Sequence, residues 1–185
     1  MDALEALRAT IPDAAKDIRL NLQAVLRGGA LSDAQRWGVA VASAIAARHP
    51  GLRDAIVAAA SSVVDGSVID DARAAAALMA MNNVYYRFRH VVGKPIDGQK
   101  PAGLRMNRML QPATNRLDFE LMSLAVSAIN GCEACVRAHE KTVTEGGLTP
   151  DHVNDAVRIA ATVMAAAVAL ESAGGVTATA NVVAA

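Results

Sequence analysis

The sequence predicts an all-α protein, on three observations. Apolar residues make up 53% of the 185, yet aromatics only 3%. The core is therefore built mainly of Ala, Val, Leu and Met. Ala, Leu and Met favour helix, and Ala lets helices approach closely. Apolar positions recur at helical spacing, with no convincing strand-like alternation. Residues that start and stop helices recur along the whole chain.

Met1-Asp2-Ala3-Leu4-Glu5 opens the chain as an acidic amphipathic segment, unlike a signal peptide. Pro12-Asp13 starts a stretch with Ile18, Leu22, Val25 and Leu26 on one side, and Gly28-Gly29 closes it. Ser32-Asp33 caps a second helix running through Ala47, and His49-Pro50 starts a third near Leu52 to Val64. Asp70 or Asp71 is expected to cap a long helix carrying Met79, Val84 and Tyr86. Gly93-Lys94-Pro95 to Pro101-Ala102-Gly103 is the clearest loop. A short helix over 104–110 ends by Pro112, and Asn115 opens the helix that runs to Asn130. Another begins at Cys132 and ends at Gly146-Gly147. Thr149-Pro150-Asp151 is a strong N-cap, with Pro in the first helical position, for a last helix that fades near Gly174. The uncharged tail 176–185 is expected to be disordered.

A chain of this length can bury a core without metal or disulfide staples. One helical domain over 1–175 is expected, with a possible division into related halves, 13–92 and 104–172. A shift of 84 positions places Ser43-Ala44-Ile45 on Ser127-Ala128-Ile129 and Asp71-Ala72 on Asp155-Ala156. Only the second half would carry chemistry, because Arg48 and Gly51 stand where that shift puts Cys132 and Cys135. Eighteen basic and eighteen acidic residues cancel. With no basic run and no aromatic stacking platform, nucleic acid is not an expected partner. The longest apolar runs, 37–47 and 159–170, are shorter than the roughly 20 residues a bilayer requires. A soluble, cytoplasmic protein is expected. In that reducing compartment a lone Cys-x-x-Cys points to redox or metal chemistry ahead of a structural clip.

The chemistry centres on Asn130-Gly131-Cys132-Glu133-Ala134-Cys135 and His139, which include both cysteines of the chain. Asn130-Gly131 is a turn pair, so Cys132 begins a helix, where free amides and the helix dipole favour a thiolate. A free cysteine with a pKa near ~8.5 is only about 3% thiolate at pH 7, so such help matters. The i,i+3 spacing puts the two sulfurs on one face, within reach of a disulfide. The i,i+4 spacing puts His139 one turn below Cys135, where an imidazole can take the thiol proton or stabilise the thiolate. Glu120, in the apolar setting Phe119-Glu120-Leu121-Met122, is the candidate to orient His139. It lies about 16 Å back from the turn and His139 about 10 Å beyond it, so a helical hairpin puts them at neighbouring levels. A direct or water-bridged contact fits that spacing. Glu133 and Glu140 are alternatives, both expected to face solvent.

Other readings stay open at this point. Both cysteines can be inert core residues. Zinc on Cys132, Cys135 and His139 lacks an obvious fourth ligand, with His49, His90 and His152 scattered. Haem attachment requires histidine directly after the second cysteine, and Val136 is there. Tyr85-Tyr86 and the methionines at 79, 81, 106, 109 and 122 read as core.

Glu120, eleven intervening residues, Cys132-x-x-Cys135, three more and His139 together resemble the alkylhydroperoxidase D (AhpD) family of the carboxymuconolactone decarboxylase-like superfamily. The likeness extends over Lys16-Asp17-Ile18-Arg19-Leu20-Asn21-Leu22, Met81-Asn82-Asn83-Val84-Tyr85-Tyr86-Arg87 and Leu104-Arg105-Met106-Asn107, and covers the chain to about residue 172. It implies an all-helical fold with a duplicated core, assembled as a homotrimer. It implies reduction of alkyl hydroperoxides with no bound cofactor. Cys135 would be the peroxidatic cysteine that becomes sulfenic acid. Cys132 would supply a proton and close the disulfide, and His139 as base with Glu120 would form the proton relay. Dihydrolipoamide, on the lipoyl domain of a 2-oxoacid dehydrogenase complex, would be the reducing cosubstrate. The family also passes electrons to the peroxiredoxin alkyl hydroperoxide reductase C, through an interchain disulfide at Cys135, so a disulfide adaptor is the alternative reading. A decarboxylase-like role is disfavoured by the two cysteines. One position departs from some members: Glu133-Ala134 stands where they have Ser-His, so no role for that histidine carries over.

Overall fold

The protein is described here by a computed structural model covering residues 3–93 and 101–173. The described residues form α1 (Ala3–Ala9), a single 3-10 turn (Asp13–Ala15), α2 (Lys16–Val25), α3 (Asp33–Ala46) and α4 (Pro50–Ser61). They continue through α5 (Gly66–Val92), α6 (Asn107–Leu110), α7 (Arg116–Ile129), α8 (Glu133–Glu145) and α9 (Pro150–Ala173). No strand occurs among the described residues. The tail expected over 176–185 and residues 94–100 of the expected loop lie outside them.

Local chemistry accounts for the helix starts. Ser32 and Gln35 form a reciprocal capping box on α3: the Ser32 hydroxyl accepts from the Gln35 amide at 3.2 Å, and Gln35 Oε1 accepts from the Ser32 amide at 3.1 Å. His49 caps α4 with Nδ1, 3.0 Å from the Leu52 amide, and Pro50 follows in the first helical position. Asn115 caps α7 by accepting from the Asp118 amide at 2.9 Å. The start of α5 differs from the expectation. Its cap is Asp65, which accepts from the Ser67 amide at 2.8 Å, so the helix begins a turn earlier than Asp70 or Asp71 would place it. Asp71 is instead a buried side chain within the helix. Val84, which the helix carries as expected, is exposed.

The centre of the fold is the pair α3–α7, each of which also packs on α5 and α9. Gly38 permits this close crossing, because the methyl end of Met122 occupies the space a Cβ there would need. Around the pair, α1 covers α4, α2 lies on α9, and α8 lies on α7 and α5. The core is aliphatic, with Phe119 its largest fully buried aromatic. The apolar run at 159–170 continues at both ends into a single helix, α9. That helix is long and apolar enough to cross a membrane by length and composition alone. Here its inward face, including Ala156, Ile159, Val163 and Ala167, is buried in the core.

Candidate functional site

α7 carries the first component. Residues 118–127 are buried without a break, which places the Glu120 carboxylate in the interior between Phe119 and Leu121. The helix ends at Asn130 in a Schellman turn: Gly131, with φ +65°, donates to the Ala128 carbonyl at 3.2 Å, and the Cys132 amide donates to the Ser127 carbonyl at 3.1 Å. Cys132 thereby closes α7 and stands as N-cap of α8. Both cysteines lie within the first turn of α8, among its free amides and at the positive end of its dipole.

Cys132 and Cys135 are joined as a disulfide, with Cα atoms 5.3 Å apart. The buried face of α8 then continues through His139 and Val143. His139 Nδ1 lies 2.6 Å from Glu120 Oε2, a direct contact between two buried side chains. With the carboxylate ionised, Nδ1–H donates to it, and Nε2 is left as the nitrogen with a free lone pair. The two alternative carboxylates, Glu133 and Glu140, are exposed. Glu133 is held outward by Arg137 at 2.6 Å and faces His90 of α5 at 3.5 Å.

The structure adds residues that helix periodicity did not mark as functional. His139 Nε2 lies 3.2 Å from the sulfur of Met79, a methionine expected only to fill the core. Arg116, one turn before Glu120, sits 3.8 Å from Glu120 Oε1. Its i,i+4 spacing to Glu120 was the available signal. A cavity of about 510 Å³ opens beside the site, with Cys135, His139, Glu120 and Arg116 in its wall. Tyr86, Leu104, Met106, Met109 and Leu110 supply most of its apolar lining, and Asn82 and Asn107 also border it. Cys132 is fully buried and does not border this cavity; Cys135 does.

Two polar clusters fix the frame. Asn83 on α5 donates to the Ser127 hydroxyl at 2.9 Å and accepts from the Asn130 amide group at 2.8 Å. Arg87 donates to the Asn130 carbonyl at 2.7 Å, so α5 grips the turn that presents Cys132. Asp71 accepts from the amides of Ala113 and Thr114 and from Arg108, each within 2.9 Å, and from the Thr114 hydroxyl at 2.7 Å. This ties the segment around α6, one wall of the cavity, to α5. Burial alone would raise the Asp71 carboxyl, but those hydrogen bonds and the Arg108 charge outweigh it and hold the carboxyl below its usual range. Among the described residues no group of three or more His, Cys, Asp or Glu side chains is arranged to hold a metal ion.

Comparison with known proteins agrees with this arrangement. Residues 99–178 match the carboxymuconolactone decarboxylase family. The chain is 64% identical over 174 residues to an alkyl hydroperoxide reductase AhpD of Anaeromyxobacter dehalogenans (strain 2CP-C), covering 94% of each chain. It is 47% identical to the protein of that name from Rhodospirillum centenum, over 92% of this chain and 91% of the other. It is 46% identical to that of Brucella canis, over 92% and 98%. Such identity along nearly the whole length, together with a buried Glu-His pair beside a Cys-x-x-Cys disulfide, means that the chain belongs to the AhpD family of alkyl hydroperoxide reductases.

Proposed function

We propose that the protein is a thiol peroxidase that reduces alkyl hydroperoxides through a Cys132–Cys135 disulfide cycle. The observation that carries this reading is the shared cavity wall: Cys135 and His139 border one apolar cavity, and His139 is bound through Nδ1 to Glu120. In the reduced enzyme His139 takes the Cys135 proton. The thiolate attacks the terminal peroxide oxygen, giving Cys-SOH and, with the proton returned, an alcohol. The Cys132 thiol then condenses with the sulfenic acid, forming the disulfide and releasing water. The exposure of Cys135 to the cavity and the burial of Cys132 support this division of roles.

Dihydrolipoamide resets the disulfide, its two thiols becoming the cyclic disulfide. The apolar lining suits both an alkyl peroxide and the aliphatic arm of a lipoyl domain. The test is turnover of tert-butyl hydroperoxide with dihydrolipoamide, which Cys135→Ser and Cys132→Ser should each abolish. Full activity in either variant would sink the mechanism. Slow turnover that accelerates when alkyl hydroperoxide reductase C is added would identify a disulfide adaptor acting through Cys135.

The proposal extends to assembly and ancestry. Val84, Phe88 and Val91 on α5, and Val157, Met164 and Val168 on α9, are exposed apolar residues at helical spacing, which supports burial in a homotrimer. The starts of α3, α4 and α5 match those of α7, α8 and α9 to within one residue at the 84-residue shift, which supports a duplicated core. Sedimentation equilibrium giving a monomer would overturn the assembly.

A further inference from the structure

We infer that Asn82 is a substrate-binding residue whose side-chain amide grips the hydroperoxide group in the cavity beside Cys135. The inference rests on the peroxidase reading above. Asn82 is only 4% exposed, yet its amide is poorly satisfied. Among the described residues its Oδ1, sealed from solvent, has no hydrogen-bond partner, and its Nδ2 meets only the thioether of Met109 at 3.9 Å. The neighbouring Asn83 shows the contrast, with both ends of its amide paired at under 3 Å. A buried carbonyl oxygen without a donor destabilises the fold, and a leucine there would avoid that cost. Asn82 sits in the wall of the cavity that Cys135, His139 and Glu120 share. Met109, its one weak partner, lines the same cavity.

An amide and a hydroperoxide are complementary. The terminal O–H of ROOH donates to a carbonyl oxygen, while its inner oxygen accepts from an N–H. A half-turn of the Asn82 amide about its last torsion exchanges Oδ1 and Nδ2, which would bring the unpaired oxygen to the side of Met109 in the cavity wall, with an N–H beside it on the same edge. The bound peroxide then presents its terminal oxygen to Cys135. As the S–O bond forms and the O–O bond breaks, sulfur loses two electrons and the peroxide gains them. The terminal oxygen passes to sulfur with its hydrogen. The inner oxygen leaves as alkoxide, stabilised by the Asn82 N–H until it takes the proton held on His139. Asn82 thus binds the two oxygens, and the apolar wall accepts the alkyl group.

The test compares the parent with Asn82→Leu, using stopped-flow loss of protein thiols and thermal unfolding. Tert-butyl hydroperoxide is one oxidant. Methyl methanethiosulfonate, which reacts with the same thiolate but has no hydroperoxide, is the other. The expected result is a fall of about tenfold in the peroxide rate, the loss of hydrogen bonding worth about one decade. The methanethiosulfonate rate and the melting temperature should hold or rise. Equal loss with both reagents would mean that Asn82 only supports the thiolate, and overturns the inference. So would an unchanged peroxide rate, or a melting temperature several degrees lower. Asn82→Gln, which keeps the amide, should recover part of the peroxide rate; none recovered also counts against it. A parent enzyme whose thiols ignore the peroxide overturns the peroxidase reading itself, and this inference with it.

Discussion

His139 Nδ1 and Glu120 Oε2 lie 2.6 Å apart, nineteen residues apart in sequence, with both side chains buried. The carboxylate fixes the ring and its tautomer, leaving Nε2 on the side of Met79. Glu120→Gln keeps the shape and removes the charge. It should lower peroxide-dependent turnover by about 10- to 100-fold, the usual cost of losing a partner that orients a working histidine. Steady-state kinetics with tert-butyl hydroperoxide checks this, and an unchanged kcat would count against the relay.

Asp71 makes the protein acid-sensitive in a definite direction. Its carboxyl is held below the ordinary range in the folded state, so its contribution is fully present above the unfolded pKa of about 3.9. That contribution fades as pH falls through the lower, folded-state value. Asp71→Asn turns a four-way acceptor into a group that also carries donors facing the Thr114 amide and hydroxyl. It should destabilise the fold by about 2–4 kcal/mol at pH 7, with a smaller gap from the parent in strong acid. Urea unfolding at several pH values measures both.

Gly131 tests the turn alone. Its φ is +65°, and nothing lies within 4 Å of where a Cβ would stand. Gly131→Ala therefore costs only backbone strain, about 1–2 kcal/mol. Gly131→Asn should cost less, because asparagine tolerates the left-handed region. If alanine and asparagine prove equally neutral in denaturant midpoints, the turn is not held as described.

Asn83→Ala removes the link between α5 and that turn. It strands the Ser127 hydroxyl and the Asn130 amide group and leaves a small void, for a cost of about 2–3 kcal/mol. A double-mutant cycle with Ser127→Ala should show coupling of about 0.5 kcal/mol or more. Additive effects would exclude a direct bond.

Arg116 lies at the opposite extreme. Its side chain is 66% exposed and 3.8 Å from Glu120. Arg116→Ala should change stability by less than about 1 kcal/mol, since solvent and salt screen such pairs. A larger loss in thermal unfolding would mean that the guanidinium holds Glu120 in place.

The helical hairpin was legible from sequence because its determinants are local. Asn115, Asn130-Gly131 and Gly146 mark the ends of α7 and α8, and a fixed rise per residue sets Glu120 level with His139. Helix phasing likewise stacked Cys132, Cys135 and His139. Met79, Asn82 and Tyr86 escaped because periodicity distinguishes inside from outside, not core from cavity wall. Asp71 was misread because an aspartate near a helix start resembles a cap until its burial is known. α1 has seven residues, too few to persist alone, and depends on packing against α4.

The sequence by itself determined the helical class, most helix ends, the Cys-Cys-His face and the family likeness, all consequences of short-range geometry and residue chemistry. Only the tertiary structure decided which cysteine borders the cavity, what Nε2 of His139 faces, and which polar groups lie buried without partners. Those depend on how α5, α7, α8 and the segment around α6 pack, through contacts between residues many turns apart. Such packing follows from the sum of many weak, non-directional contacts, and no short stretch of sequence contains it.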